Sequence, residues 1–409
     1  MNVQATGLGD LAAVRRVRSA DVHKGDRLAA RLRRTDEGVE FAYLADYLVA
    51  GGPAVATTLP LTDVPVVTAA GAVPPFFAGL LPEGRRLSSL RRAVKTSADD
   101  ELSLLLAVGA DPVGDVRVFP QGAEPAEAPA LVTVRRSFEE VTFAEVLEAA
   151  GGVDLVALAG VQDKASARML SVPVRQAGRR YILKLDPPEF AHVVANEAYF
   201  IALAAGSRLP VVDARVVHDA TGCPGLLVER FDRLAGPDGS TVSVAVEDGA
   251  QVLGVYPADK YAVAAEDVGA ALAGVCPASA VALRDVYRQL CFAWLTGNGD
   301  LHAKNLSVVA VDGEWRVAPA YDLPSTLPYR DHTMALAMGG KTTGLSRRLL
   351  LDFAARVGLA ERAATRTLDQ VLAATEPVVE EWRVGAVPFT AKDVREVTRS
   401  LRSRRRAAL

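Results

Sequence analysis

Gly297-Asn298-Gly299-Asp300-Leu301-His302-Ala303-Lys304-Asn305, followed by Tyr321-Asp322-Leu323, decides how the rest of the chain is read. A phosphoryl-transfer site needs a carboxylate to orient and deprotonate the attacking hydroxyl. It also needs oxygen ligands for Mg²⁺ on the nucleotide phosphates. Protein kinases supply a catalytic-loop Asp, an Asn five residues later, and a second Asp beyond the next strands. Asp300 and Asn305 keep that spacing, and Asp322 follows after a gap that suits a short hairpin. The chain therefore reads as a kinase, with Asp300 as proton acceptor and Asn305 and Asp322 as metal ligands. Each residue alone has a plainer reading: a helix cap for Asp300, a turn for Asn305, an Asx turn before Pro324 for Asp322. Their order together favours the chemistry.

Working outward, Val308 to Val311 and Trp315 to Val317 form a hairpin across Asp312-Gly313. The helix expected over 279–295 delivers the catalytic run into its Gly-rich loop. Further helices are expected over 261–272 and 346–375. Upstream, residues 180–185 alternate as a strand, with Lys184 between Leu183 and Leu185. Such a lysine either contacts the α/β-phosphates or is an edge or snorkelling side chain. A helix over 193–205 carries Glu197, a candidate partner for Lys184. Strands are expected over 211–217 and 226–228. Gly160-Val161-Gln162-Asp163-Lys164 is a candidate phosphate-covering loop, and equally a plain turn. Glu229-Arg230-Phe231 leaves a strand where an adenine hinge would lie. Lys304 is placed to neutralise charge on the transferred group. For His302, a phosphate-side role and a satisfied structural role stand level.

The first 60 residues read as a small β-rich unit, with strand-like spacing over 41–48. Helix is expected around Leu102 to Leu106 and a strand over 116–119. Residues 120–130, rich in Ala, Pro and Glu, mark a boundary. Three units are expected: 1–125, 126–232 and 233–409. The fold class is α+β: a two-lobed, protein-kinase-like body with an extra N-terminal β-rich subdomain and a mostly helical C-terminal lobe.

With 409 residues, 50% hydrophobic, 23% charged and a net charge of −3, the composition is that of a globular protein without a global nucleic-acid footprint. Three scattered cysteines and five histidines make neither a disulfide framework nor a zinc motif. The basic end, Arg399, Arg402, Arg404, Arg405 and Arg406, is expected as a solvated last helical turn. The N-terminus lacks the apolar stretch of a signal peptide, and no apolar run reaches about eighteen residues. A cytoplasmic setting without membrane contact is expected.

Seven ordered segments resemble the HipA family of bacterial serine/threonine kinases, the toxin halves of toxin–antitoxin pairs. They are Phe76-Phe77-Ala78-Gly79-Leu80-Leu81-Pro82-Glu83-Gly84, Ala159 to Lys164, Tyr181 to Lys184, Asn196-Glu197, Val228 to Arg233, Asp300 to Asn305 and Tyr321-Asp322. The resemblance spans nearly the whole chain. It implies ATP with Mg²⁺ and transfer to a protein Ser or Thr. Its known members modify aminoacyl-tRNA synthetases, so a translation component is the implied substrate. It also implies a small helix-turn-helix, HipB-like antitoxin, through which operator DNA would be met. By residue match, Asp300 becomes the proton acceptor and Asn305 and Asp322 the metal ligands. Lys184, Ala159 to Lys164 and Glu229 to Phe231 become ATP contacts. One departure stands out. Family members often carry an autophosphorylated serine three residues before the loop glycine, whereas this chain has Ala157.

Two other readings compete. A small-molecule phosphotransferase of the aminoglycoside or choline type shares a Gly-Asp-x-His core, but leaves the first 120 residues without a role. A nucleotide-binding regulator that holds a DNA-bound partner would need no transfer, but leaves an intact base and metal ligands unexplained.

Overall fold

The computed structural model describes residues 3–5, 11–125, 132–135, 137–149, 169–236 and 240–409. Ala157 and the expected phosphate loop, Ala159 to Lys164, lie outside the described residues.

The N-terminal unit is built on a five-stranded antiparallel sheet. Its strand order is Val66–Ala69, Gly38–Tyr43, Arg27–Arg34, Ser19–Lys24, Val116–Pro120. Val22, Ala30, Leu32, Phe41 and Val118 are buried on it, against Phe76, Phe77, Leu102 and Leu105. The strand expected through residue 48 stops at Tyr43, and Ala45–Val49 is helical. Tyr43 and Tyr47 lie four residues apart and stack with centroids 6.2 Å apart, so their spacing is that of a turn. Their hydroxyls donate to the Leu59 and Pro53 carbonyls.

A six-stranded sheet follows, in the order Val3–Ala5, Val132–Val134, Leu170–Gln176, Arg179–Leu185, Pro224–Glu229, Ala214–His218. Val3–Ala5 thus pairs with the small lobe's sheet and not with the unit that follows it in sequence. Ala177 and Gly178, both at positive φ, turn the tight hairpin that leads into the Lys184 strand. The expected strand over 211–217 starts later, at Ala214, because Val211 and Val212 instead meet Ala320. Helix Val193–Gly206 packs on this sheet. Its first turn is held by Asp186, whose carboxylate accepts from the His192 and Val194 N–H groups at 2.9 and 2.7 Å.

The C-terminal lobe is mostly helical around Ser279–Thr296. Twelve of that helix's residues are buried, from Ala282 to Thr296, so it forms the axis of the lobe. A three-stranded sheet, Val246–Asp248, Ser307–Val311, Glu314–Val317, sits at its end. The Asp312-Gly313 turn is present, with both residues at positive φ. The helix expected from 261 begins at Ala265, since Ala264 is extended and bridges to Ala337. The span 346–375 is two helices, Arg347–Arg356 and Glu361–Ala374, broken at Gly358 with φ +85°. The C-terminal arginines are not all solvated. Arg404 is buried, stacks on Trp294 at 4.1 Å and donates to the Trp294 and His332 carbonyls. Arg405 turns in to the Leu372 carbonyl.

Candidate active site

The catalytic run begins where Ser279–Thr296 ends. Gly297 takes φ +77°, and a Cβ there would lie 2.4 Å from Leu327, so both backbone and space require glycine. The next residue, fully buried Asn298, organises the loop. Its Oδ1 accepts from the Asp300 N–H at 2.9 Å, and its Nδ2 donates to the Asp322 carbonyl at 2.9 Å. Asn305 closes the loop on itself, with Nδ2 donating to the Asp300 carbonyl at 2.9 Å. Asp300, Asn305 and Asp322 are thereby tied together by backbone-to-side-chain bonds. Tyr261 donates to Asp300 Oδ1 at 2.9 Å. Burial, then the Asp300 carboxylate, pushes the Tyr261 hydroxyl's pKa upward, so it stays a donor.

The small lobe reaches the same place. Lys184 lies on a central strand, between Ser171 and Leu226. Its ammonium donates to Glu197 Oε1 at 2.7 Å and forms a close ion pair with Asp322 Oδ1. Burial opposes its charge, but Asp322 and Glu197 outweigh it and raise its pKa. The expected Lys184–Glu197 pair is therefore formed. Asn196 adds a second tie between lobes: Nδ2 donates to the Ser325 carbonyl at 2.7 Å and Oδ1 accepts from the Ser325 N–H at 3.0 Å. Asp322 itself holds φ +53°, in the left-handed region that Asp enters more readily than most residues.

Other expected residues fall differently. Phe231 stacks on Tyr321 with ring centroids 5.9 Å apart. The Tyr321 hydroxyl donates to the Lys304 carbonyl at 2.8 Å and lies 2.6 Å from Ser307 Oγ. Glu229 pairs with Arg179 at 3.0 Å. Arg230, expected as an ATP contact, has its side chain turned to other partners. Its guanidinium is taken up by Asp232, by Asp111 at 2.9 Å and by the Pro112 carbonyl at 2.9 Å, which joins the small lobe to the N-terminal unit. Lys304 is likewise occupied, donating to the Gly79 carbonyl at 2.8 Å with Glu83 at 3.0 Å and Asp248 at 3.7 Å. His302 is buried edge-on against Tyr261, 5.0 Å between centroids. Burial, then Lys260, lowers its pKa to about 3, so it is neutral, and its Nδ1 has no partner among the described residues.

Asn298, Asn196, Tyr261 and Glu83 are site residues that sequence reasoning left without roles. All but Tyr261 lie in segments that carry the motif or the family resemblance, and Asn298 and Asn196 stand beside candidate site residues. Their burial was the missing signal.

The donor set suits magnesium. Asn305 has its nitrogen committed to the Asp300 carbonyl, which leaves the amide oxygen as its atom for a cation, and Asp322 adds a carboxylate. A hard cation takes such oxygens. Among the described residues no group of three or more His, Cys, Asp or Glu side chains is arranged to hold a metal. Remaining ligands would come from phosphates and water, as is usual for this ion.

Comparison with known proteins identifies the family and the fold. The family model for the HipA-like C-terminal domain matches residues 156–379, and that for the HipA N-terminal domain matches residues 20–119. The Sinorhizobium fredii protein Y4dM is 33% identical over 341 residues, covering 78% of this chain and 79% of its own. Y4mE, from the same organism, is 32% identical over 288 residues, covering 66% and 68%. The serine/threonine-protein kinase toxin HipA of Shewanella oneidensis is 27% identical over 346 residues, covering 78% and 77%. Among solved structures, the Shewanella oneidensis complex of HipA, HipB and operator DNA contains a chain with the same fold. It has a TM-score of 0.73 at 23% identity, covering 94% of this chain and 96% of that one.

Proposed function

The chain belongs to the HipA family, and from that premise we propose that it is an ATP- and magnesium-dependent serine/threonine protein kinase, the toxin of a toxin–antitoxin pair. One observation supports this above the others. Lys184 and Glu197 from the small lobe and Asn298, Asp300, Asn305 and Asp322 from the C-terminal lobe form one unbroken hydrogen-bonded series.

In this reading Asp300 accepts the proton of a protein Ser or Thr hydroxyl. The hydroxyl oxygen forms a bond to the γ-phosphorus as the bond to the ADP oxygen breaks. Tyr261 fixes the orientation of the Asp300 carboxylate through its hydrogen bond to Oδ1. Lys184 would contact the α/β-phosphates, and Glu197 would keep its ammonium in place with Asp322 serving as a metal ligand. Asn305 and Asp322 would hold magnesium, which supplies positive charge against the phosphate oxygens. The 159–164 loop would cover the phosphates, and Glu229 and Phe231 would border the base. A HipB-like helix-turn-helix antitoxin is the proposed partner, with operator DNA met through it. A translation component such as an aminoacyl-tRNA synthetase is the proposed substrate, and the cytoplasm the proposed setting. Among the described residues no helix is long and apolar enough to cross a membrane.

Asp300→Asn tests the reading. It is expected to lower transfer to cellular proteins by at least about 1,000-fold, a loss in line with the removal of an essential general base together with its charge. ATP affinity should change less than about threefold, since Asp300 acts on the acceptor. Phosphoproteomics of cells expressing either form would show new phosphoserine or phosphothreonine with the wild type alone. Identical phosphorylation patterns would overturn the assignment.

A further inference from the structure

The segment Phe76 to Gly84 has no place in the mechanism above, yet it lies against the catalytic loop. Phe76 and Phe77 anchor it in the N-terminal core, their rings 5.2 Å apart and Phe77 5.6 Å from Phe41. Its backbone is laid along helix Gly249–Leu253 of the C-terminal lobe. Gln251 Nε2 donates to the Phe76 carbonyl at 2.8 Å, and a Cβ on Gly79 would lie 2.7 Å from Gln251 Cγ. That close approach brings the Gly79 carbonyl to 2.8 Å from Lys304 Nζ. Four residues on, Glu83 places one carboxylate oxygen 3.0 Å from Lys304 and the other against Lys260 in a close ion pair. Lys260 also holds the loop through its backbone, its carbonyl accepting from the Ala303 N–H at 3.2 Å.

The Lys304 ammonium donates to the Gly79 carbonyl, is ion-paired with Glu83 at 3.0 Å and has Asp248 at 3.7 Å, a charge neighbour beyond hydrogen-bond distance. Its charge is thus met within the protein, and its two short contacts both come from the N-terminal unit. Residue 304 also immediately precedes Asn305, within the single turn Ala303–Asn305. A shift of the lysine is a shift of the proposed metal ligand and of its bond to the Asp300 carbonyl.

We infer that Glu83 is a positioning residue for phosphoryl transfer: by pairing with Lys304 and Lys260 it holds the Asp300–Asn305 loop in register, which makes the N-terminal unit part of the catalytic centre. The inference rests on the kinase reading for its rate effect, but not for its effect on the loop. Lys304 then acts as a strut and not as a ligand of the transferred phosphoryl group.

The test is a double-mutant cycle on the full chain, with Glu83→Gln, Lys304→Met and the pair. Each variant is first checked by thermal melting, and Lys260→Met is carried as a second probe of the same carboxylate. Glu83→Gln should lower kcat about tenfold, below the about 100-fold that an ångström of misplacement can cost. KM for ATP should stay within about twofold, because nucleotide contacts are untouched. The double variant should be slower than Lys304→Met by less than the factor that Glu83→Gln costs the wild type, because the Glu83–Lys304 contact is shared and only the Lys260 contact adds. Amide hydrogen exchange across 300–305 should quicken in Glu83→Gln while that of Ser279–Thr296 does not change. If the wild type transfers no phosphate, the kinase reading fails, and exchange alone decides the positioning. Unchanged exchange at 300–305 in Glu83→Gln and Lys260→Met would overturn the inference. So would additive losses of kcat in the cycle.

Discussion

At the scale of single residues, the site depends on a side chain with no chemistry of its own. Asn298 bonds to the Asp300 N–H and the Asp322 carbonyl and is fully buried. Asn298→Ala leaves both backbone groups unpaired. It should destabilise the protein by about 1–3 kcal/mol, the usual cost of an unsatisfied buried group. It should also lower kcat by up to about 100-fold, as the two acids separate slightly. Denaturant melts and steady-state kinetics would read the two effects separately, and an active, stable Asn298→Ala would remove this residue from the design. The acids and Asn305 were legible because their spacing lies within one loop and its following hairpin. Asn298 stood in the same run, but an amide beside two glycines looks alike whether it faces water or the core. Lys304 shows the reverse: a lysine in a catalytic loop suggests phosphate, and only the approach of residues 79 and 83 shows its charge already taken.

Among elements, the strict requirement falls at the junction of helix Ser279–Thr296 with the loop. Gly297→Ala places a Cβ at positive φ and against Leu327. The conformational cost of about 1–2 kcal/mol and an overpacking cost of about 1–3 kcal/mol predict a loss of about 2–5 kcal/mol. A melting temperature equal to the wild type's would contradict this origin for the glycine. Helix, strand and hairpin signals here were read correctly where apolar periodicity and turn chemistry agree, as at Asp312-Gly313 and along the Lys184 strand. They failed where tertiary contact decides. Tyr43 and Tyr47 looked like alternation but stack across a turn, and residues 261–264 carried a helical pattern but pair with Ala337 and the loop.

For the whole molecule, three units meet through charges far apart in sequence, which no local pattern discloses. Asp111 takes Arg180, Arg230 and Arg233, and Thr57 bonds to Glu247. Two carboxyls make this docking pH-dependent. Burial raises the Asp232 carboxyl, but Arg230 and Arg233 outweigh it and hold it below its ordinary 3.8. Burial raises Glu83 too, but Lys304 and Lys260 bring it from 4.5 to about 2. A folded pKa below the unfolded one stabilises above the unfolded value and loses that contribution as pH falls through the folded value. The stability gap between wild type and Glu83→Gln should hold steady from pH 7 to about pH 5 and shrink toward about pH 2. A gap that widens on acidification would reverse the sign and refute the pairing. Convergence of two lobes on one magnesium-bound nucleotide is the proposition on which the function rests. Calorimetric titration of ATP into wild type and Asp322→Asn, each with and without Mg²⁺, examines it. Wild type should bind at least about tenfold more tightly with the ion, a coupling of about 1.4 kcal/mol, and Asp322→Asn should lose that gain. Equal affinities in all four titrations would contradict it.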